Sequence, residues 1–232
     1  MTRDLPVLRR RRVFDVPGGI CKKYPAELPS CLDYSCEKMY NERYSISKKR
    51  ILYNMERNYP KATITEKGER ALRGGHPWVY ADEVTEVSGE YENGGLADVF
   101  SRKGRYLGTG YINDNSKIRI RVISRNANDR FDRDFYARRI RYALDYRRTV
   151  MGAEDFRCCR LIFGEADSFP GFTVDRFGDV LVAQVLSLGT ERVKDALYEL
   201  LVQTLADMGE HISAIYERND VKIRELEGME EY

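Results

Sequence analysis

The sequence has little that would suit a membrane or secreted protein. Its most apolar run, from Val180 to Leu186, is short and contains Gln184, whereas a helix needs about 20 apolar residues to cross a bilayer. The four arginines Arg9 to Arg12 are not followed by an apolar segment, so no signal peptide is expected. These absences predict a cytoplasmic protein with no membrane partner.

Cysteine and histidine are also scarce. The five cysteines are odd in number and two of them, Cys158 and Cys159, are adjacent, which favours a reducing compartment over a disulfide framework. The other three, at positions 21, 31 and 36, have a spacing that matches no common zinc pattern, and the chain has only two histidines. The sequence therefore predicts no metal site.

No glycine-rich cofactor loop is present. The sequence contains neither G-x-G-x-x-G nor a Walker loop. The glycines at 104, 108 and 110 fall in a strand pattern with no helix behind it, which favours a bulged strand over a phosphate-binding turn. No cofactor-binding residue is predicted in this chain.

What the sequence has is charge, unevenly placed. A third of the 232 residues are charged, and the net charge is only +2. Residues 1–60 hold 13 basic and 7 acidic residues, whereas residues 154–232 hold 8 basic and 17 acidic ones. A polyanion is therefore expected to dock on the basic front. The alternative is that both ends simply carry solvated faces.

The pattern of elements divides the chain into four parts. Residues 1–58 are rich in proline and glycine without a sustained period, and predict a poorly organised basic extension, with a possible short helix over 45–57. Residues 59–126 hold five or six short strands separated by turns, which indicate a small barrel. Residues 127–153 predict an Arg-rich helix over about 132–151, and residues 154–232 a compact α+β unit.

The stretch from Gly74 to Tyr80 is the most specific local feature. It contains Trp78, the only tryptophan, and His76, and it follows three cations, Lys67, Arg70 and Arg73. Aromatic side chains beside cations suit stacking on exposed bases and contact with phosphates. The alternative is that Trp78 fills the barrel and His76 caps a turn.

Two further sets of cations are candidates for the same role. In the last predicted strand of the barrel, Lys117, Arg119 and Arg121 alternate with apolar residues, so they form a basic row on one face. In the predicted helix, Arg138 and Arg139 lie outside the apolar stripe. An exposed basic face is also often merely soluble.

A carboxylate-dense stretch runs from Glu165 to Arg176. One hypothesis is an acid/base site of a small hydrolase that uses Glu165, Asp167 or Asp175. The simpler interpretation is a turn built by Asp167, Pro170 and Gly171, with Asp175 and Arg176 as an ion pair at the end of a strand.

Several of these stretches occur in a characteristic order. They are Lys67 to Tyr80, Lys117 to Ser124, Phe135 to Arg148, Arg160 to Arg176, Tyr216 to Asp220, and Glu227-Gly228. Together they resemble the PUA domain, Arg-rich linker helix and middle domain of the bacterial large-subunit rRNA cytosine-C5 methyltransferases, which use S-adenosylmethionine. The resemblance runs from about Tyr59 to Tyr232, and residues 1–58 match nothing in that family.

The resemblance implies a fold class. It is α+β: a small mixed β-barrel of PUA type followed by a compact α+β middle domain, with no Rossmann methyltransferase domain in this chain. The family's catalytic domain, with its cofactor loop and nucleophilic cysteine, would follow Tyr232. Cys158 and Cys159 have no counterpart in that role, so no catalytic residue is predicted.

The resemblance also implies a function. The chain would be the RNA-binding front of a 23S rRNA cytosine-C5 methyltransferase, inactive alone, with S-adenosylmethionine serving the complete enzyme and structured RNA, expected to be large-subunit rRNA, as partner. A homodimer is possible. The alternative is a stand-alone RNA-binding adaptor. The expected RNA-binding residues are Lys67, Arg70, Arg73, His76, Trp78, Arg119, Arg121, Arg138 and Arg139.

Overall fold

The structure, a computed structural model, describes residues 13–15 and 58–232. The possible helix over 45–57 lies outside these residues. The elements are β1 (Val13–Asp15), β2 (Lys61–Ile64), α1 (Glu66–Arg73), β3 (Trp78–Tyr80), β4 (Val84–Ser88), β5 (Leu96–Ser101), β6 (Tyr106–Ile112), β7 (Ile118–Ser124), α2 (Arg133–Val150), β8 (Arg160–Phe163), β9 (Phe172–Phe177), β10 (Val180–Val185), α3 (Leu188–Asp207), β11 (Ala214–Glu217) and α4 (Ile223–Leu226).

The first half is a six-stranded sheet with the strand order β3-β7-β6-β5-β2-β4. It is mixed, as expected, because β2 pairs parallel with β5 while the other pairs are antiparallel. Its two end strands, β3 and β4, are not paired with each other. Pairing between β3 and β4 therefore does not close the sheet into the expected barrel, and its core of aliphatic side chains includes Ile64, Val79 and Ile120.

Helix α1 is an element that the strand pattern of this region conceals. Thr65 precedes it in extended conformation, and its hydroxyl accepts a hydrogen bond from the backbone N–H of Gly68 at 3.3 Å. Such a cap satisfies one of the unpaired N–H groups in the first turn. Only Gly68 and Leu72 of this helix are buried, so the rest of its surface faces solvent.

The second half is a five-stranded sheet with the order β1-β11-β10-β9-β8. Helices α2 and α3 pack on it, and the shared core includes Phe135, Leu144, Leu161, Phe172 and Leu201. Strand β1 pairs antiparallel with β11, so Val13–Asp15 completes one edge of this sheet. No described helix has the length and apolar character of a membrane span.

The expected fold class needs a correction in this half. Strands β10 and β11 are parallel neighbours, and α3 connects them. Parallel strands require such a crossover, and the resulting βαβ arrangement is the unit from which Rossmann-type sheets are built. This arrangement argues against the expectation that the chain has no Rossmann methyltransferase domain, because a 20-residue helix returns the chain to the same end of the sheet.

The two sheets contact each other through side chains that hydrogen bond across the boundary. Glu227, which is 2% exposed, accepts hydrogen bonds from Asn113 at 2.9 Å, Ser116 at 2.5 Å and Arg121 at 2.7 Å. Tyr111 of β6 belongs to the core of the second half, and its hydroxyl lies 2.7 Å from that of Tyr136 in α2. The halves thus form one packed body within residues 59–232.

Candidate nucleic-acid interface

The three cations predicted around α1 have different surroundings. Lys67 is exposed but lies 3.4 Å from the buried carboxylate of Glu83, and Arg73 lies 3.7 Å from Glu69. Arg70 is exposed and forms no ion pair with a described carboxylate. Of the three, Arg70 is the one whose guanidinium is available to a ligand without breaking an existing contact.

Arg70 and Arg73 line a cavity of about 480 Å³ between α1 and the turn that joins β5 to β6. We call it the α1 groove. The turn adds three cations that the sequence analysis did not select, Arg102, Lys103 and Arg105, against Glu66 and Glu69 on the helix side. In the sequence these cations belong to the run Ser-Arg-Lys-Gly-Arg, whose glycine is typical of a tight turn. In the structure Gly104 adopts a φ of +72°, so the chain reverses and the three cations project together.

Trp78 lies at the boundary between the two halves of the chain. It is half-buried at the contact between the sheets, and its indole N–H donates to Glu165 Oε1 at 2.9 Å. The guanidinium of Arg121 lies 5.5 Å from its ring centroid. His76 is exposed, and its Nδ1 accepts from the backbone N–H of Trp78 at 3.2 Å. Trp78 therefore holds the sheets together, and His76 supports its strand.

The basic row on β7 is not a continuous exposed face. Lys117, which precedes the strand, is exposed. Arg119 is half-buried, paired with Asp114 and donating to the Tyr91 hydroxyl at 2.8 Å. Arg121 is buried and paired with Glu227 at 2.7 Å, because the second half of the chain covers this end of the strand. Arg121 is thus placed inside the protein and does not face solvent.

The arginines of α2 also divide into two kinds. Arg138 is exposed and lies 3.9 Å from Asp129. Arg139 is half-buried, and its guanidinium packs 4.5 Å from the centroid of Phe135. Burial lowers the pKa of Arg139, although Asp129 acts in the opposite direction. Its one described hydrogen bond is to the backbone oxygen of Ser168, at 3.4 Å.

Arg139 borders two adjoining cavities that we call together the α2 cleft. One, of about 430 Å³, lies along α2 and includes Asp129, Arg138 and Tyr142. The other, of about 530 Å³, reaches the first sheet at Gly75, Pro77 and Arg125. The two cavities share Arg139, Ala166 and Ser168, so they form one surface feature between the halves of the chain.

The carboxylates proposed for a hydrolase are engaged in structural contacts. Asp167 accepts two hydrogen bonds from Arg147, at 3.0 and 2.6 Å. Asp175 accepts two from Arg160, at 2.7 and 2.9 Å, and Glu165 binds Trp78. Each of these carboxylates thus has at least one oxygen engaged by a neighbouring side chain. The arrangement favours a structural role for the stretch, but the expected Asp175–Arg176 ion pair is wrong, because Asp175 pairs with Arg160 and Arg176 pairs with Glu210.

Helix α3 offers no room for a nucleoside cofactor at its N-terminus, the usual place in a βαβ unit. A Cβ atom on Gly189 would lie 2.1 Å from Tyr111 Cγ, so the first sheet already covers this turn. The hydroxyls of Ser187 and Thr190 donate to the backbone oxygen of Pro170, at 2.7 and 2.8 Å. These residues do not fit S-adenosylmethionine. Nor do the described residues include a cluster of three potential metal ligands.

Residues 62–125 match the family described as a PUA-like domain. The chain is 35% identical over 163 residues to "Ribosomal RNA large subunit methyltransferase I" of Aliivibrio fischeri (strain MJ11), covering 70% of this chain and 40% of that protein. The protein of the same name from Shewanella denitrificans is 38% identical over 162 residues, covering 69% and 40%. The chain thus spans about 40% of the length of the curated relatives that it matches.

Solved structures share this fold. "A putative sam-dependent methyltransferase from Streptococcus mutans" superposes with a TM-score of 0.58 at 18% identity, covering 68% of this chain and 40% of that one. This likeness to methyltransferases overturns the expectation that the chain has no Rossmann-type methyltransferase fold. The expected family itself agrees with the comparisons. Residues 62–125 match the PUA-like domain family, and the chain is similar to large-subunit rRNA methyltransferases.

Proposed function

We propose that this chain binds structured RNA, with large-subunit rRNA as its target, as the RNA-recognition part of an S-adenosylmethionine-dependent rRNA methyltransferase. The observation that carries the proposal is the α1 groove. Five cations line it against two carboxylates. Because the groove belongs to a PUA-like domain, and the chain's relatives are named as rRNA methyltransferases, RNA is the polyanion that fits it.

Most of the cations that line the α1 groove form no ion pair with a described carboxylate, which strengthens this assignment. Arg70, Arg102, Lys103 and Arg105 are exposed and form no ion pair with a described carboxylate. A phosphate that binds them displaces only water and counterions, which is the main source of affinity in such interfaces. Lys67 and Arg119, by contrast, would first have to leave Glu83 and Asp114. We therefore assign the principal phosphate contacts to the α1 groove.

Methyl transfer itself we assign to the part of the relatives that this chain does not span. The residues at the start of α3 do not fit the cofactor, and we place no catalytic step on them. Because the proposed ligand is ribosomal RNA, we also propose a cytoplasmic location. The possible homodimer stays a prediction.

Removing two cations from the α1 groove tests the proposal. In the double variant Arg70→Gln, Arg105→Gln, we expect weaker binding of an rRNA hairpin and a log–log salt slope reduced by about 1–2 units, because two phosphate contacts are lost. The measurement is fluorescence anisotropy with labelled RNA between low and moderate salt.

The matched control removes two exposed cations from the acidic end of the chain, in the variant Arg218→Gln, Lys222→Gln. It has the same net charge as the test variant, and its salt slope should equal that of the wild type. If both variants reduce the slope equally, the effect is one of net charge and the α1 groove is not the site.

A further inference from the structure

We propose that the α2 cleft binds a single unpaired nucleotide of the RNA. This inference rests on the proposed RNA-binding function and adds a second site to it. The α1 groove and the α2 cleft share no lining residue. The two sites can therefore be tested separately.

The cations of the cleft are the first argument. Arg125 and Arg139 both line the cavity next to the first sheet. Neither forms an ion pair with a carboxylate among residues 58–232, and each has only one described hydrogen bond, a 3.4 Å contact to a backbone oxygen. Arg139 is also half-buried. A half-buried guanidinium that has only a weak hydrogen-bond partner gains more binding free energy from a phosphate or a base edge than an exposed guanidinium does.

The remaining walls suit the other parts of a nucleotide. The half-buried Pro77 provides apolar surface for a base, and the buried Ile123 and Pro170 lie behind this wall. Ser168 lines both cavities, and its hydroxyl has no described hydrogen-bond partner. Glu165 uses Oε1 for Trp78 and Arg121, while Oε2 has no described partner. The cavity therefore combines polar groups with apolar surface, and proteins recognise an unstacked base through both.

The backbone at Ser168 is held in an unusual conformation. Its φ of +60° is the only positive value at a non-glycine position among the described residues. The preceding 3-10 turn fixes it, because the Ser168 N–H donates to the backbone oxygen of Glu165 at 3.0 Å. This conformation is unfavourable for a residue with a Cβ atom, and the Ser168 carbonyl accepts a hydrogen bond from Arg139. Strain of this kind is often retained where it shapes a binding site.

The size and setting of the cleft favour one unpaired nucleotide over a duplex. Each cavity, at about 430 and 530 Å³, lies in the range of pockets that hold one small ligand. Proteins read RNA sequence mainly at loops and bulges, where a base can leave the stack and enter such a pocket. The phosphates of the flanking helix would remain free to occupy the α1 groove.

The test compares two RNA hairpins that differ by one bulged nucleotide, using anisotropy with the full chain. We expect the wild type to bind the bulged hairpin about tenfold more tightly, the value of a charge-assisted contact. The variants Arg139→Gln and Arg125→Gln should reduce this ratio to near one while changing affinity for the paired hairpin less than about twofold. Arg125 is exposed, so its variant tests the idea even if Arg139→Gln impairs folding.

The α1 groove variant is the control that separates the two proposals. It should weaken binding of both hairpins equally and leave their ratio unchanged. A wild type without preference for the bulged hairpin would overturn the cleft proposal while the α1 groove proposal stands. A wild type that binds neither hairpin would overturn both.

Photo-crosslinking shows independently where the bulged nucleotide lies on the protein. With 4-thiouridine as the bulged nucleotide, we expect crosslinks in peptides that contain residues 135–143 or 165–170, which line the cleft. Crosslinks confined to α1 or to the turn between β5 and β6 would place the bulge in the α1 groove and contradict the proposal.

Discussion

At the scale of single residues, Arg121 joins the two sheets through contacts with Glu227, Glu165 and Trp78. We expect Arg121→Ala to destabilise the protein by about 3–5 kcal/mol, because it leaves the buried Glu227 carboxylate without its ion-pair partner. Urea denaturation measures this loss. The matched variant Arg119→Ala breaks a more exposed pair and should cost about 1 kcal/mol or less. Equal losses would contradict the burial difference between the two arginines.

The same strand shows what residue patterns can predict. The alternation of Arg119 and Arg121 with apolar residues predicts that both lie on one face of β7, whereas Lys117 precedes the strand. It does not reveal what lies over that face, because Glu227 is more than a hundred residues away in the sequence. The α1 groove was missed for a related reason. Arg102, Lys103 and Arg105 come together with Arg70 only after β5 and β6 pair beside α1.

At the scale of elements, a charged network holds α3 and α4 together. Glu191 of α3 pairs with Lys194 at 2.7 Å and with Arg224 of α4 at 3.1 Å. Burial opposes ionisation of Glu191, but the hydrogen bonds from Lys194 and Arg224 prevail and lower its pKa. Its contribution to stability is therefore present above the unfolded carboxyl pKa, about 4.3, and is lost as the pH falls through the lower folded value.

We expect Glu191→Gln to cost about 1–2 kcal/mol at pH 7, through the loss of charged hydrogen bonds. The difference from the wild type should shrink as the pH falls below the unfolded carboxyl pKa, because the wild-type carboxyl is then protonated as well. Urea denaturation of the wild type and the variant, at neutral and at acid pH, measures this difference in the free energy of unfolding. A difference that stays constant with pH would show that Glu191 does not contribute as an anion.

Elements with strong local signals were predicted well, and those fixed by distant contacts were not. Helix α2 begins and ends within one residue of the predicted bounds, because Asp132 caps it and the apolar period is regular. Helix α1 was missed, since only two of its residues are buried and no apolar stripe marks it. The pairing of β1 with β11 joins segments about 200 residues apart, and no local pattern could indicate it.

At the scale of the whole molecule, the two halves should unfold together. Tyr111 of the first sheet packs directly on Gly189 of α3, and Glu227 is bound by three residues of the first half. We expect the fluorescence of Trp78 and the helical ellipticity of α2 and α3 to change at the same urea concentration, as in a cooperative transition. Transitions at separate concentrations would mean that the halves are independent domains.

The variant Gly189→Ala extends this prediction. Alanine normally stabilises a helix interior relative to glycine, by about 1 kcal/mol, but here its Cβ would overlap the Tyr111 ring. It should lower the midpoint of both signals together. The control Gly152→Ala adds a Cβ whose nearest neighbour is 3.6 Å away, and should leave both midpoints nearly unchanged.

Helix α2 has a consequence for how this protein can evolve. It connects β7 to β8, and its 18 residues give it a length of about 27 Å. One inserted residue would turn every later side chain by about 100°, so Arg147 could no longer reach Asp167 if the insertion preceded it. The exposed positions of this helix can vary, but its length cannot. Related chains should therefore vary in length in their loops and keep the number of residues in α2 constant.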